Sequence, residues 1–275
     1  MKILICIAFH FSQNQLQYLQ KVLQSYVDFS VELEIFIMTN TINYDEINHI
    51  QSIFPTALSG QMIQIISFVD LVNPWLLTWG HKQIMRERFD GHGFTHFIYA
   101  ECDIEITRSN LQYWLIEREV LRGYRFYPGF VMLEWSELSS SWVSTSARST
   151  VQESILPRLK VDYREYINLG TPYQGCFLYD RELMAEHMAS TTFDMNIYGN
   201  ILGNNLEWGG GMAENANFAL TFVDVPSGFI SRNIVRYYGK YKMLDPQSFI
   251  HHLPNKYAIN PDTPHSKVPI TQLFT

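Results

Sequence analysis

Four short apolar runs, each followed by a stretch with helical spacing or a turn, constrain this chain more than any other feature. The first, Ile3 to Phe9, is apolar at every position, as a strand buried on both faces of a parallel sheet must be. Gln15 to Tyr26 then sets Leu16, Leu19, Val22, Leu23 and Tyr26 at helical intervals, with Ser12 or Asn14 available as the cap. Glu32 to Met38 reads as a second strand ending in Thr39-Asn40, Asp45 to Phe54 as a helix stopped by Pro55, and Met62 to Phe68 as a third strand. Thr78 to Phe89 reads as a helix ended by Asp90-Gly91, and a fourth strand begins at Phe94. Strands alternating with helices imply right-handed crossovers, hence an α/β protein with a doubly wound sheet over the first hundred residues. Ligands of such sheets sit at the carboxyl ends of the strands, which here means His10, Thr39, Asn40 and the segment after Ala100.

That last segment is unusual. After Phe97-Ile98-Tyr99-Ala100 come three carboxylates at alternate positions, Glu101, Asp103 and Glu105. In an extended chain they share a face and Cys102 turns the other way, into the core. Crowded carboxylates repel, and a divalent cation held by one or two of them, with phosphate oxygens completing its shell, relieves the repulsion. The plainer alternative is a strand that stops at Ala100 and runs into a solvated acidic loop, with Thr107 or Ser109 capping the next helix. No G-x-G-x-x-G follows the first strand, and no G-x-x-x-x-G-K-[ST] occurs anywhere. A sheet that offers acids in place of a glycine-rich cradle would hold phosphate through Mn²⁺ or Mg²⁺.

Composition narrows the partners. Twenty basic residues against 27 acidic ones give a formal charge of −7, which argues against nonspecific binding of nucleic acid. The length, 275 residues, suits one large domain or two intimate ones. Cys6, Cys102 and Cys176 are too scattered for a disulfide framework or zinc site, so a cytoplasmic, reducing setting is expected. Polar His10, Ser12, Gln13 and Asn14 follow the apolar start at once, unlike an export signal. No run has the length of a membrane-spanning helix, which leaves attachment to a membrane surface open.

Beyond residue 110 the pattern changes. Leu111 to Leu121 reads as a helix, Gly129 to Trp135 as a strand, Gly175 to Tyr179 as another, and Asp180 to Met188 as a helix. Ser136 to Thr150, serine-rich and without clear period, reads as a mobile or acceptor-facing loop. Trp208-Gly209-Gly210-Gly211 leads into a helix from Ala213 to Leu220 with Glu214 in its first turn, a placement that the helix dipole alone would favour. His251 and His252 point to opposite sides if extended, so at most one of them can complete an ion's shell. Arg232, Arg236, Lys240 and Lys242, interleaved with Tyr237, Tyr238 and Tyr241, read either as a face that binds phosphate and stacks on sugar rings or a base, or as a solvated face with packed tyrosines. The proline-punctuated stretch from Pro254 to Pro269 reads as an ordered wrap or a loose tail.

Two motifs, Leu77-Thr78-Trp79-Gly80-His81-Lys82 and Tyr99-Ala100-Glu101-Cys102-Asp103, resemble those of nucleotide-sugar-dependent glycosyltransferases of the GT-A fold. The likeness is to a bacterial and viral branch in which a T-W-x-H-[KR] helix precedes Y-x-E-D-D, and it covers roughly the first 135 residues. It implies one GT-A-like domain over 1–275, with a Rossmann-like nucleotide-binding half (about 1–110) and an acceptor-binding half (about 111–275). It also implies a donor site using His10, Thr39, Asn40, His81, Lys82, Glu101 and Cys102. The metal would be held by Asp103 and Glu101 with His251 or His252, and an inverting base would fall at Glu214. Cys102 and Asn215 depart from the acids usual at their positions. The donor would be a nucleoside-diphosphate sugar, UDP-linked first and GDP-linked second. The acceptor would be a hydroxyl of a glycan, glycolipid or glycoprotein. A sugar-phosphate nucleotidyltransferase and a non-enzymatic carbohydrate-binding protein are the alternatives.

Overall fold

The structure is a computed structural model that describes residues 1–69, 71, 74–145, 147, 149–169, 175–193, 220–222, 224–260, 262–263 and 267–275. The chain divides into two compact units, Met1–Cys102 with Gly175–Val223, and Asp103–Gln174 with Asp224–Thr275. The division after Cys102 falls earlier than the residue-110 boundary read from sequence. The chain also returns to the first unit after leaving it.

In the first unit β1 (Lys2–Phe9), β2 (Glu32–Thr39), β3 (Met62–Ser67) and β4 (His96–Glu101) are parallel. A later strand, Cys176–Asp180 (β11 in chain order), joins antiparallel beside β4, giving the order β11-β4-β1-β2-β3. The sheet is mixed α/β, as the alternation required. Helices α1 (Leu16–Val27), α2 (Tyr44–Ser52) and α3 (His81–Phe89) make the connections. On α1 the five residues read as an apolar stripe are all buried. Neither Ser12 nor Asn14 caps it: Gln15 stands at the cap position, after a short 3₁₀ turn, and makes no side-chain cap bond. The expected helix from Thr78 is 3₁₀ up to Gly80 and α-helical only from His81. A Cβ on Gly80 would come within 3.0 Å of the Phe68 ring and 3.2 Å of the Met38 sulfur, so glycine permits this close approach over the ends of β2 and β3.

The second unit holds two sheets. One has the order β5 (Ile104–Glu105), β14 (Phe249–His252), β7 (Val131–Ser136), β8 (Ser141–Ser144). The other runs β13 (Met243–Leu244), β12 (Asn233–Tyr238), β10 (Arg164–Ile167), β9 (Arg158–Val161), with β6 (Tyr127–Pro128) pairing on β12. Val131 and Leu133 of the first sheet share a core with Ile167, Val235, Tyr237 and Leu244 of the second, and with Val268 and Leu273 near the C-terminus. The opposite face of the second sheet, through Val161, Tyr166 and Ile234, packs with Leu121 of α4 (Arg108–Leu121). The basic, tyrosine-rich stretch divides: its first part is the strand β12, whereas Lys240, Tyr241 and Lys242 are exposed, as a solvated face requires. Tyr237 is in the core, and Arg236 is buried with a guanidinium nitrogen 3.9 Å from Glu117. Tyr166 donates its hydroxyl to the same Glu117, and Arg164 approaches it at 3.0 Å. No helix among the described residues is long and apolar enough to cross a membrane.

One side chain fixes β14. Thr107 caps α4 in a reciprocal capping box with Asn110, whose Oδ1 accepts from the Thr107 backbone N–H at 2.8 Å. The other end of the Asn110 amide donates to the carbonyls of Gln247 at 2.8 Å and Phe249 at 2.7 Å. Asn110→Asp removes both donors and sets a carboxylate against two carbonyls. We expect a loss of about 2–4 kcal/mol, measured as a lower urea midpoint with unchanged slope.

Candidate functional site

β4 ends at Glu101, and the next two residues turn. Glu101, Asp103 and Glu105 therefore do not share a face of one strand: Glu101 ends β4 in the first unit, and Glu105 lies in β5 of the second. Cys102 is buried, its thiol 3.7 Å from the Gln15 amide oxygen, so it turns inward. β5 pairs antiparallel with β14, setting His251 opposite Glu105 and His252 opposite Ile104. Alternation along β14 then separates the two histidines, with His252 buried and His251 half-buried.

Glu134 anchors this part of the second unit. It is fully buried on β7, and its Oε1 takes the N–H of Tyr257 at 3.3 Å and sits against His252 Nδ1. Its Oε2 accepts from the N–H of Ala258 at 2.6 Å, so one carboxylate also serves the first turn of α6 (Lys256–Ile259). The other imidazole nitrogen, Nε2, lies 3.4 Å from Asp103 Oδ2. The Asp103 carbonyl accepts from the Leu253 N–H at 2.9 Å.

Burial opposes charge on His252, but hydrogen bonds to Asp103 and Glu134 outweigh it and hold the imidazole above its ordinary range. Burial likewise opposes charge on Asp103, and the hydrogen bond and charge of His252, helped by Lys256, hold its carboxyl below the usual carboxylate range. Each ring nitrogen of His252 thus faces a carboxylate. The second oxygen of Asp103, Oδ1, is buried without a hydrogen-bond partner among the described residues.

These features fit a hard cation touching one carboxylate oxygen and completed by a ligand's own oxygens. They do not make an all-protein cage: among the described residues no group of three or more His, Cys, Asp or Glu is arranged to hold a metal. Both ring nitrogens of His252 face carboxylates, so His252 orients Asp103 and would have to leave one of them to ligate. His251 faces Glu105 at 3.6 Å and Asn255 at 3.2 Å.

The other expected donor-binding residues lie in the first unit. His10 is exposed just beyond β1, and the Asn40 side chain accepts from the Phe11 N–H at 2.7 Å, tying the ends of β1 and β2 together. Thr39 is buried, its hydroxyl without a hydrogen-bond partner among the described residues. His81 and Lys82, expected against a nucleotide or sugar, are both fully buried. His81 is ringed by Tyr99, Phe177 and Phe193, with centroids at 4.8, 5.3 and 6.4 Å. Burial and the charges of Lys82 and His187 hold its pKa well below that of a free imidazole. Lys82 donates to the Thr192 carbonyl, with its ammonium 3.4 Å from the centroid of the Trp79 ring. These two residues are core groups here, and neither is a solvated helix residue. Glu214 lies outside the described residues.

Sequence reasoning missed Glu134. Its signal was there: a single acid inside the otherwise apolar run Val131-Met132-Leu133-Glu134-Trp135, which is tolerable only with buried partners.

No family model and no curated protein matches this chain. Solved structures align loosely. The galactosyltransferase LgtC with donor and acceptor sugar analogues is 12% identical over 79% of this chain and 70% of that one, with a TM-score of 0.36. An active-site mutant of LgtC aligns at 9% identity over 92% and 86%, TM-score 0.41. A TarS fragment from S. aureus aligns at 10% identity, TM-score 0.35, over 68% of this chain, which spans about half (49%) of that fragment. Likenesses this weak assign neither an activity nor a substrate.

Removing the imidazole leaves two buried carboxylates facing each other. His252→Gln should destabilise the protein by about 3–5 kcal/mol in chemical denaturation at pH 5.5. The raised His252 pKa contributes stability that is complete below its unfolded value of 6.5 and lost as pH rises through its folded value. The depressed Asp103 pKa contributes stability that is present above 3.8 and lost as pH falls through its folded value. The wild type should therefore be more stable at pH 5.5 than at pH 8.5, and His252→Gln should flatten that difference.

Proposed function

We propose that this protein transfers a sugar from a nucleoside-diphosphate sugar to a hydroxyl of a glycan or glycoconjugate, with Mn²⁺ or Mg²⁺ on the donor's diphosphate. The observation that carries this reading is the acid-bearing segment that leaves the carboxyl end of β4, an interior strand of the sheet, with the buried Asp103 carboxyl held below its usual range and one oxygen unmatched among the described residues. Strand ends of such sheets are where ligands bind, and the turn after β1 has no glycine-rich phosphate loop. The resemblance of the two motifs to GT-A glycosyltransferases supports the same reading.

In it, Asp103 holds the metal, with Glu101 as the nearest further acid in sequence. A divalent ion held there would supply positive charge to the donor's diphosphate. His252, helped by Lys256, would keep Asp103 ionised, and Glu134 would hold His252 in place. Glu214 accepts the proton of the acceptor hydroxyl as it attacks the anomeric carbon. UDP is the first nucleotide to test and GDP the second.

Thermal-shift measurement of nucleoside diphosphates with and without Mn²⁺ tests the reading. A metal-dependent shift with UDP or GDP is expected. A shift only with nucleoside triphosphates would mark a nucleotidyltransferase, and none with any nucleotide would end the proposal. Asp103→Ala should abolish the metal-dependent part of the shift and lower transfer about 10²–10³-fold. Unchanged turnover would remove Asp103 from the site. Glu214→Gln should keep donor affinity while lowering transfer about 10²–10⁴-fold. Weakened donor binding with intact turnover would make Glu214 a structural cap.

A further inference from the structure

One row of side chains in the second unit plays no part in the proposed chemistry. Each of the four strands β5-β14-β7-β8 contributes one member: Glu105, His251, Trp135 and Trp142. Register puts Glu105 opposite His251 and Trp135 opposite Trp142, so each pair shares a face of the sheet. The row is joined laterally. The His251 ring meets the Trp142 ring at 4.8 Å and 89°, and Trp142 meets Trp135 at 5.6 Å and 71°. Glu105 lies 3.6 Å from His251, and the Asn255 Oδ1 takes both the Trp135 N–H at 2.8 Å and His251 Nε2 at 3.2 Å.

The row is open to solvent. Trp142 is 39% exposed, and the Glu105 and His251 side chains are 29% and 27% exposed. An indole left in water beside a carboxylate, an imidazole and an amide suits a ligand with both an apolar face and a rim of hydroxyls. A wholly apolar partner would bury the polar members unmatched, at a cost, and an anion would meet Glu105. Trp142, in T-shaped contact with two rings, has little side-chain freedom left to lose on binding.

We propose that this row binds a pyranose ring, the Trp142 indole packing on the sugar's C–H face and the Glu105 carboxylate accepting from its hydroxyls. That the sugar is the transfer acceptor rests on the glycosyltransferase reading; that a sugar binds does not.

The test follows the indole N–H signals of Trp135 and Trp142 in heteronuclear NMR during titration with methyl β-D-glucopyranoside, methyl β-D-galactopyranoside and N-acetylglucosamine, with open-chain sorbitol as control. At least one pyranose should shift the Trp142 signal while sorbitol does not. Trp142→Ala, followed through Trp135, should weaken binding about tenfold or more, Trp142→Phe should largely restore it, and Glu105→Gln should weaken it without abolishing it. No shift with any pyranose, an equal shift with sorbitol, or binding unchanged in Trp142→Ala would overturn the proposal. If Trp142→Ala fails to fold, Trp142→Phe and Glu105→Gln decide it: unchanged affinity in Glu105→Gln overturns it. UDP with Mn²⁺ is titrated into the same proteins. Sugar binding without nucleotide binding sustains this site and removes the transferase reading, whereas nucleotide binding without sugar binding does the reverse.

Discussion

The second unit depends on one buried contact chain, Glu134 to His252 to Asp103. Each partner would be costly alone, and burial opposes the charge on both His252 and Asp103. Glu134 is tolerable because it receives two backbone N–H groups and an imidazole. His252 is tolerable because a carboxylate flanks each ring nitrogen. Asp103 is left with one matched oxygen and one unmatched among the described residues. Buried ion chains of this kind add little net stability over an apolar core, yet they break expensively and fix geometry. The geometry fixed here is the direction of a carboxylate two residues past the end of β4.

Much of this was legible in the sequence, and for identifiable reasons. The first unit's strands and helices follow from local pattern, because continuous apolar runs and the stripe on α1 are signals within a dozen residues. The acids were legible as an oddity, but their arrangement was not. Alternation predicted one shared face, whereas the strand ends at Glu101 and Glu105 pairs with a strand about 150 residues later. Residues that distant in sequence leave no periodic trace. The same holds for Arg236 and Tyr237, which looked like part of a basic, solvated patch and proved to be alternate faces of β12 between two packed layers. His81 and Lys82 were expected at a ligand from the motif resemblance and from their place at a helix start near the sheet's carboxyl edge, yet both lie in a core. An aromatic ring set and one carbonyl hold them there.

The two histidines show how one strand can divide its labour. Adjacent in sequence and opposite in direction, His252 meets Asp103 on the buried side while His251 meets Glu105 and Trp142 on the open side. A single strand thus serves a charge relay and an aromatic row, and Asn110 pins its first carbonyl to α4.

The antiparallel seat of β11 beside β4 bears on the order in which the chain can acquire its shape. As the polypeptide leaves the ribosome, β4 is complete at residue 101, but the strand that occupies its outer side does not emerge until residue 176. In that interval a largely buried strand of the sheet shows a bare row of amides and carbonyls to any neighbouring nascent chain. The interposed segment, which builds most of the second unit, is thus synthesised while the first is still unfinished, and a truncation before residue 176 would leave a sticky edge in place of a domain.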